Sequence, residues 1–157
     1  MAKACAMRAK WSLSVAGLIT AVAAACAPSA ASVSVAGGGF LQDKPSQTGA
    51  AVIVSSGASI PAFPLEIQGS LLIPITSNGG YAATAEIRGF TGGGFGGAYV
   101  GAGAGVGDLS SDRSVGPVLT IFGGKSIAPR TSVEIRLYKS TGDLGATAGF
   151  VGVRFSL

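Results

Sequence analysis

The closing stretch of the chain, Ser132 to Leu157, alternates apolar and polar residues twice, on either side of a turn-forming cluster. In the first run Val133, Ile135 and Leu137 alternate with Glu134, Arg136 and Tyr138. In the second, Val151, Val153, Phe155 and Leu157 alternate with Phe150, Gly152, Arg154 and Ser156. Ser140-Thr141-Gly142-Asp143-Leu144-Gly145 joins them. Successive side chains of a strand point to opposite faces, so each run has one purely apolar face and one that carries charge. A soluble sheet buries the apolar face. A membrane barrel turns it out to lipid and keeps the charges in its lumen.

Composition bears on that choice. The 157 residues suffice for one domain. Only 11% are charged, against about 25% in an ordinary soluble domain, and mean hydropathy is +0.54. The net charge of +4 is concentrated at the start, where Lys3, Arg8 and Lys10 precede an apolar run from Trp11 to Ala25. Ala25-Cys26-Ala27 then has the small-x-small form of a cleavage site. Residues 1–27 are thus expected to be a cleaved N-terminal signal helix, cut somewhere between 25 and 31, and the protein to be exported. The apolar run falls short of the roughly 20 residues of a membrane-spanning helix. Without this segment the chain is nearly neutral and has no basic cluster with interleaved aromatics, which argues against a nucleic-acid partner. Cys5 and Cys26 are the only cysteines, so the mature chain is expected to hold no disulfide. A lipid-modified Cys26 is a second reading of the same segment.

From residue 32 onward, short β-branched and glycine-rich runs alternate with clusters of Gly, Ser, Pro, Asn and Asp, and no stretch has helical periodicity. Eight strands are expected, near 32–41, 50–56, 65–75, 81–90, 95–106, 115–124, 132–139 and 150–157. Gln42 to Thr48 reads as a polar loop, Gly57 to Pro64 as a turn or edge, and Lys125 to Thr131 as a turn. Thr76-Ser77-Asn78-Gly79-Gly80 is a hairpin signal, because Asn-Gly accepts the positive φ of a tight turn. The expected fold class is all-β: an eight-stranded antiparallel up-and-down β-barrel over residues 32–157. With both termini periplasmic, the outer loops are 42–48, 76–80, 107–114 and 140–145, all short.

The alternation sends Glu66, Glu86, Arg88, Glu134, Arg136 and Arg154 to one face, three acids against three bases. An eight-stranded lumen is filled by side chains, and charges buried there must be paired. These six are therefore the expected lumenal ion-pair network. Val133, Ile135, Leu137, Val151, Val153, Phe155 and Leu157 are expected to face lipid. Tyr81, Tyr99, Tyr138 and the phenylalanines are the candidates for an interfacial aromatic belt.

The glycine-rich Gly97-Ala98-Tyr99-Val100-Gly101-Ala102-Gly103-Ala104-Gly105, the Val133 to Lys139 strand and the closing Gly149 to Leu157 give the chain a pattern that resembles the small outer-membrane β-barrel proteins of Gram-negative bacteria, of the OmpA/OmpX type. The resemblance covers roughly residues 32–157. It implies residence in the bacterial outer membrane, outer-membrane lipid and the barrel-assembly machinery as partners, and a structural or surface-interaction role. Members of that group usually end in an aromatic residue; here Leu157 is last and Phe155 stands two places earlier. The competing reading is a secreted or periplasmic soluble β-sandwich or small barrel that binds a ligand or protein partner.

The search for catalytic chemistry is negative. The chain has no histidine, which removes Ser-His-Asp catalysis, His-dependent lipid-modifying chemistry and the usual zinc sites. Gly92-x-Gly94-x-x-Gly97 matches a dinucleotide fingerprint in form, but Tyr99-Val100-Gly101-Ala102-Gly103 cannot supply the helix which that motif requires. Glu86 and Glu134 could meet across a lumen, where Arg88, Arg136 and Arg154 make structural ion pairs the expected outcome instead of acid–base catalysis. Asp108 and Asp112 lack the spacing of a calcium loop. No enzymatic activity, cofactor or metal is expected.

Overall fold

The computed structural model describes residues 31–44, 46–60, 63–76, 80–92, 97–109, 114–141 and 145–157. The signal segment, Cys5, Cys26, Asp112, Arg113 and Asp143 lie outside them. Eight strands follow one another: β1 (Ala31–Asp43), β2 (Ser46–Ile60), β3 (Leu65–Ile75), β4 (Ala82–Thr91), β5 (Ala98–Gly107), β6 (Gly116–Ala128), β7 (Thr131–Ser140) and β8 (Thr147–Ser156). Each pairs antiparallel with the next, and β1 pairs antiparallel with β8 from Ser34↔Ser156 to Gln42↔Ala148. The sheet is thus a closed barrel without an edge strand, the arrangement that removes unpaired backbone groups altogether. Following the register once round brings the ladder back to β1 about ten residues away, a stagger that tilts the strands by roughly 40°.

Three stretches that read as loops belong to strands. Gln42 and Asp43 continue β1, paired with Gln47 and Ser46. Their polarity is satisfied within the chain: buried Gln42 Nε2 donates to the carbonyls of Leu109 at 3.1 Å and Lys44 at 3.0 Å, and at the surface the Thr147 amide donates to Asp43 Oδ1 at 2.6 Å. Gly57 to Ile60 continue β2, paired with Leu65 to Gln68, and only residues 61–64 connect β2 to β3. A Cβ on Gly57 would come within 2.7 Å of Glu66 Oε1 and of the Ile67 carbonyl, so glycine here admits the neighbouring strand and breaks nothing. Lys125 to Ala128 continue β6 through a register shift between Ser126 and Ala128, which leaves Pro129 and Arg130 as the turn.

The interior has layers. Phe40, Ile53, Leu72, Leu109, Val118 and Phe150, each at most 1% exposed, fill the end beside the β5–β6 connection. Leu109, from that connection, closes this end. Charged and hydroxyl side chains occupy the middle and the opposite end. β5 makes room for them: its inward positions are Tyr99 and then glycine at 101, 103, 105 and 107, while Ala102 and Ala104 face out. A Cβ at Gly103 would sit 2.4 Å from the Ala85 carbonyl and 2.6 Å from Glu86 Cγ. Gly103→Val is therefore expected to destabilise the barrel by about 1–3 kcal/mol through overpacking, measured by urea unfolding, whereas Ala102→Val on the outer face should stay within ~0.5 kcal/mol.

Candidate functional site: a polar ring inside the barrel

The six charged residues of the alternating face all lie inside. Glu66, Glu86, Arg88, Glu134, Arg136 and Arg154 are between 0% and 6% exposed. Arg136 is central. Its Nε donates to Glu134 Oε1 at 2.5 Å and its Nη1 to Glu86 Oε1 at 2.6 Å, with the guanidinium carbon 4.2 Å from the centre of the Phe122 ring. Arg154 donates from Nη1 to Glu134 Oε2 at 3.0 Å and from Nη2 to Gln68 Oε1 at 2.9 Å. Gln68 Nε2 in turn donates to Glu86 Oε2 at 2.5 Å. Glu86, Gln68, Arg154, Glu134 and Arg136 thereby form a closed ring of hydrogen bonds between β3, β4, β7 and β8.

The remaining carboxylate valences are filled. Ser70 and Thr84 donate to Glu86 at 2.8 and 2.6 Å, and the Tyr99 hydroxyl donates to Glu134 at 2.7 Å. Glu66 stands apart from the ring, accepting from Arg88 Nη2 at 2.5 Å and from Ser32 at 2.7 Å. The Arg88 guanidinium lies 4.9 and 5.0 Å from the Phe90 and Tyr99 ring centres. Gln68, Ser70, Thr84 and Tyr99 are part of the site although charge alone does not single them out. Their signal is position: Gln68, Ser70 and Thr84 share the inward parity of a charged residue on their own strand, and Tyr99 lies opposite Phe90, which has the parity of Arg88 on β4. Tyr99 and Tyr138, at 5% and 1% exposed, point inside and contribute nothing to an outer aromatic belt.

The outward positions are apolar. Val133, Ile135, Leu137, Val151 and Phe155 are 37–55% exposed, Val153 is half-buried between its neighbours, and Leu157, beyond β8, is 77% exposed. Val33, Val54, Ile73, Ile87, Val100 and Ile121 continue this surface around the other strands.

No protein-family model matches the sequence, and no curated protein does. Solved structures do share its architecture. Neisserial surface protein A (NspA) superposes with a TM-score of 0.61 at 15% identity, over 82% of this chain and 98% of that one. The N-terminal β-barrel domain of Pseudomonas aeruginosa OprF gives 0.54 at 18% identity, over 80% and 97%. A de novo designed transmembrane β-barrel gives 0.53 at 9% identity, over 83% and 98%. This chain has the fold of the small eight-stranded outer-membrane barrels.

Within this barrel the ring holds no group poised for catalysis. Every carboxylate accepts from an arginine and from at least one hydroxyl or amide, so none is left as a free base. Among the described residues no three His, Cys, Asp or Glu side chains cluster to hold a metal. β5 runs on as a strand from Ala98, so the Gly92 to Gly97 stretch precedes no helix. What the ring does is tie four strands together across the lumen. Arg154→Ala leaves Glu134 its bonds from Arg136 and Tyr99, but strands the Gln68 carbonyl. The expected loss is about 1–3 kcal/mol by urea unfolding, and Gln68→Leu added to Arg154→Ala should restore part of it.

Proposed function

We propose that this chain is an exported, non-enzymatic protein of the bacterial outer membrane with a structural or surface-interaction role, in contact with outer-membrane lipid and inserted by the barrel-assembly machinery. The observation that carries the reading is its inverted polarity. The ion pairs are inside, and all eight strands present apolar side chains outward. Outward charges within the strands sit only near strand ends, at Asp43, Lys125 and Lys139. A water-exposed barrel has the opposite pattern. At a tilt of ~40°, ten residues rise roughly 25 Å, the height of the apolar band on a membrane barrel. Phe63 and Phe155, 64% and 52% exposed, lie at the end where β1 begins and β8 finishes, and Tyr81 lies at the other, as interfacial aromatics do.

The filled interior supports a closed barrel over a pore: Leu109, Phe40 and Phe150 obstruct one end, and the ion-paired ring crosses the middle. Fractionation of an expressing bacterium with a heat-shift gel tests the assignment. The expected result is a protein in the outer-membrane fraction that migrates faster unboiled than boiled. A soluble protein in periplasm or medium would overturn it.

A further inference from the structure

One end of the interior is plugged; among the described residues the other is not. At the end beside the β2–β3, β4–β5 and β6–β7 connections there is a cavity of about 420 Å³, within the range that holds small ligands. Among the described residues its wall contains three arginines, Arg88, Arg130 and Arg154, and no acid. Ser126, Thr131, Ser132 and Ser156 add hydroxyls around them.

Two of these arginines are ion-paired from below, Arg88 by Glu66 and Arg154 by Glu134. The three lumenal glutamates are matched by Arg88, Arg136 and Arg154, which leaves Arg130 in excess at the rim, with no ion pair among the described residues. Arg88 and Arg154 are 6% and 3% exposed, yet the Nε of each lacks a hydrogen-bond partner. Burying a guanidinium donor without an acceptor is costly. Arg130 is also the one described non-glycine residue with positive φ, at 58°, a conformation unfavourable for an L-residue and freely adopted by glycine. A side chain kept there against that cost is a pointer to a role.

We propose that this arginine-lined cup binds a phosphate group. A carboxylate offers two acceptor oxygens in a plane. Three guanidinium groups, one of them without an ion pair, and four hydroxyls spread around a concave wall suit a tetrahedral anion with more oxygens. The cup is a property of the folded chain, so the proposal stands or falls independently of where the barrel resides.

The test uses the isotope-labelled full chain refolded in an uncharged detergent and titrated with inorganic phosphate against sodium chloride of equal ionic strength. In parallel, nanodiscs containing phosphatidylglycerol are compared with nanodiscs of phosphatidylcholine alone. Saturable amide shifts at Ser126, Thr131, Ser132 and Ser156 with phosphate assign the cup to a soluble phosphate compound. The same shifts only with phosphatidylglycerol assign it to a lipid headgroup. No saturable shift in either arm overturns the proposal. Arg130→Gly removes the guanidinium where the backbone already favours glycine, so the barrel should fold as well as the parent; binding about tenfold weaker is expected, and unchanged binding overturns the proposal.

Discussion

Arg136→Met is expected to lower the unfolding free energy of the barrel by about 3–5 kcal/mol. Arg136, Glu86 and Glu134 have fully buried side chains, and Arg136 is the ion-pair partner shared by both carboxylates. Removing it leaves Glu134 with Arg154 and Tyr99, but leaves Glu86 with only Gln68, Ser70 and Thr84 as neutral donors. A carboxylate in that position must stay charged in a low dielectric or take up a proton, and either outcome weakens the fold. The only tryptophan, Trp11, lies ahead of the barrel, so unfolding in urea is best followed by far-ultraviolet circular dichroism and by densitometry of the heat-shifted band. Adding Glu86→Gln to Arg136→Met should recover much of the loss, because the stranded charge goes with the glutamate. A loss under about 1 kcal/mol for Arg136→Met would show that the ring contributes little.

The second large effect concerns the outer surface. Val151 lies at the middle of β8, 53% exposed, with Gly39 and Ile135 beside it in the ladder. If that face meets the acyl chains, Val151→Arg should cost roughly 2–4 kcal/mol in lipid vesicles and reduce the heat-shifted fraction of refolded protein. Val151→Thr should be tolerated. On a sheet whose exposed face meets water, the arginine would be harmless, within ~0.5 kcal/mol, and would improve solubility. The two readings of the strand pattern thus differ in both sign and size at one residue.

How much was legible beforehand follows from which features are local. Strand alternation depends only on the pleat, so Glu134, Arg136 and Tyr138 share one face whatever surrounds them, as do Phe150 and Arg154. Eight such runs, with turn chemistry between them, carry the strand count and the antiparallel order. Strand ends were less legible. Gln42, Asp43 and Ser126 look like loop residues because they are polar, and only a partner elsewhere in the chain, such as the Leu109 carbonyl for Gln42, makes a strand position acceptable to them.

What only the tertiary structure decided is who meets whom across the lumen. Gln68 joins Arg154 over 86 positions of sequence, and Arg136 joins Glu86 over 50. Those pairings depend on the closure of β1 on β8 and on a stagger that accumulates strand by strand, neither of which any single strand encodes. The same stagger sets the apolar plug at one end and the three arginines at the other. The sequence determined, by a period of two, which side chains face in; closure of the sheet determined their heights in the barrel, and height decides whether a buried charge finds its partner.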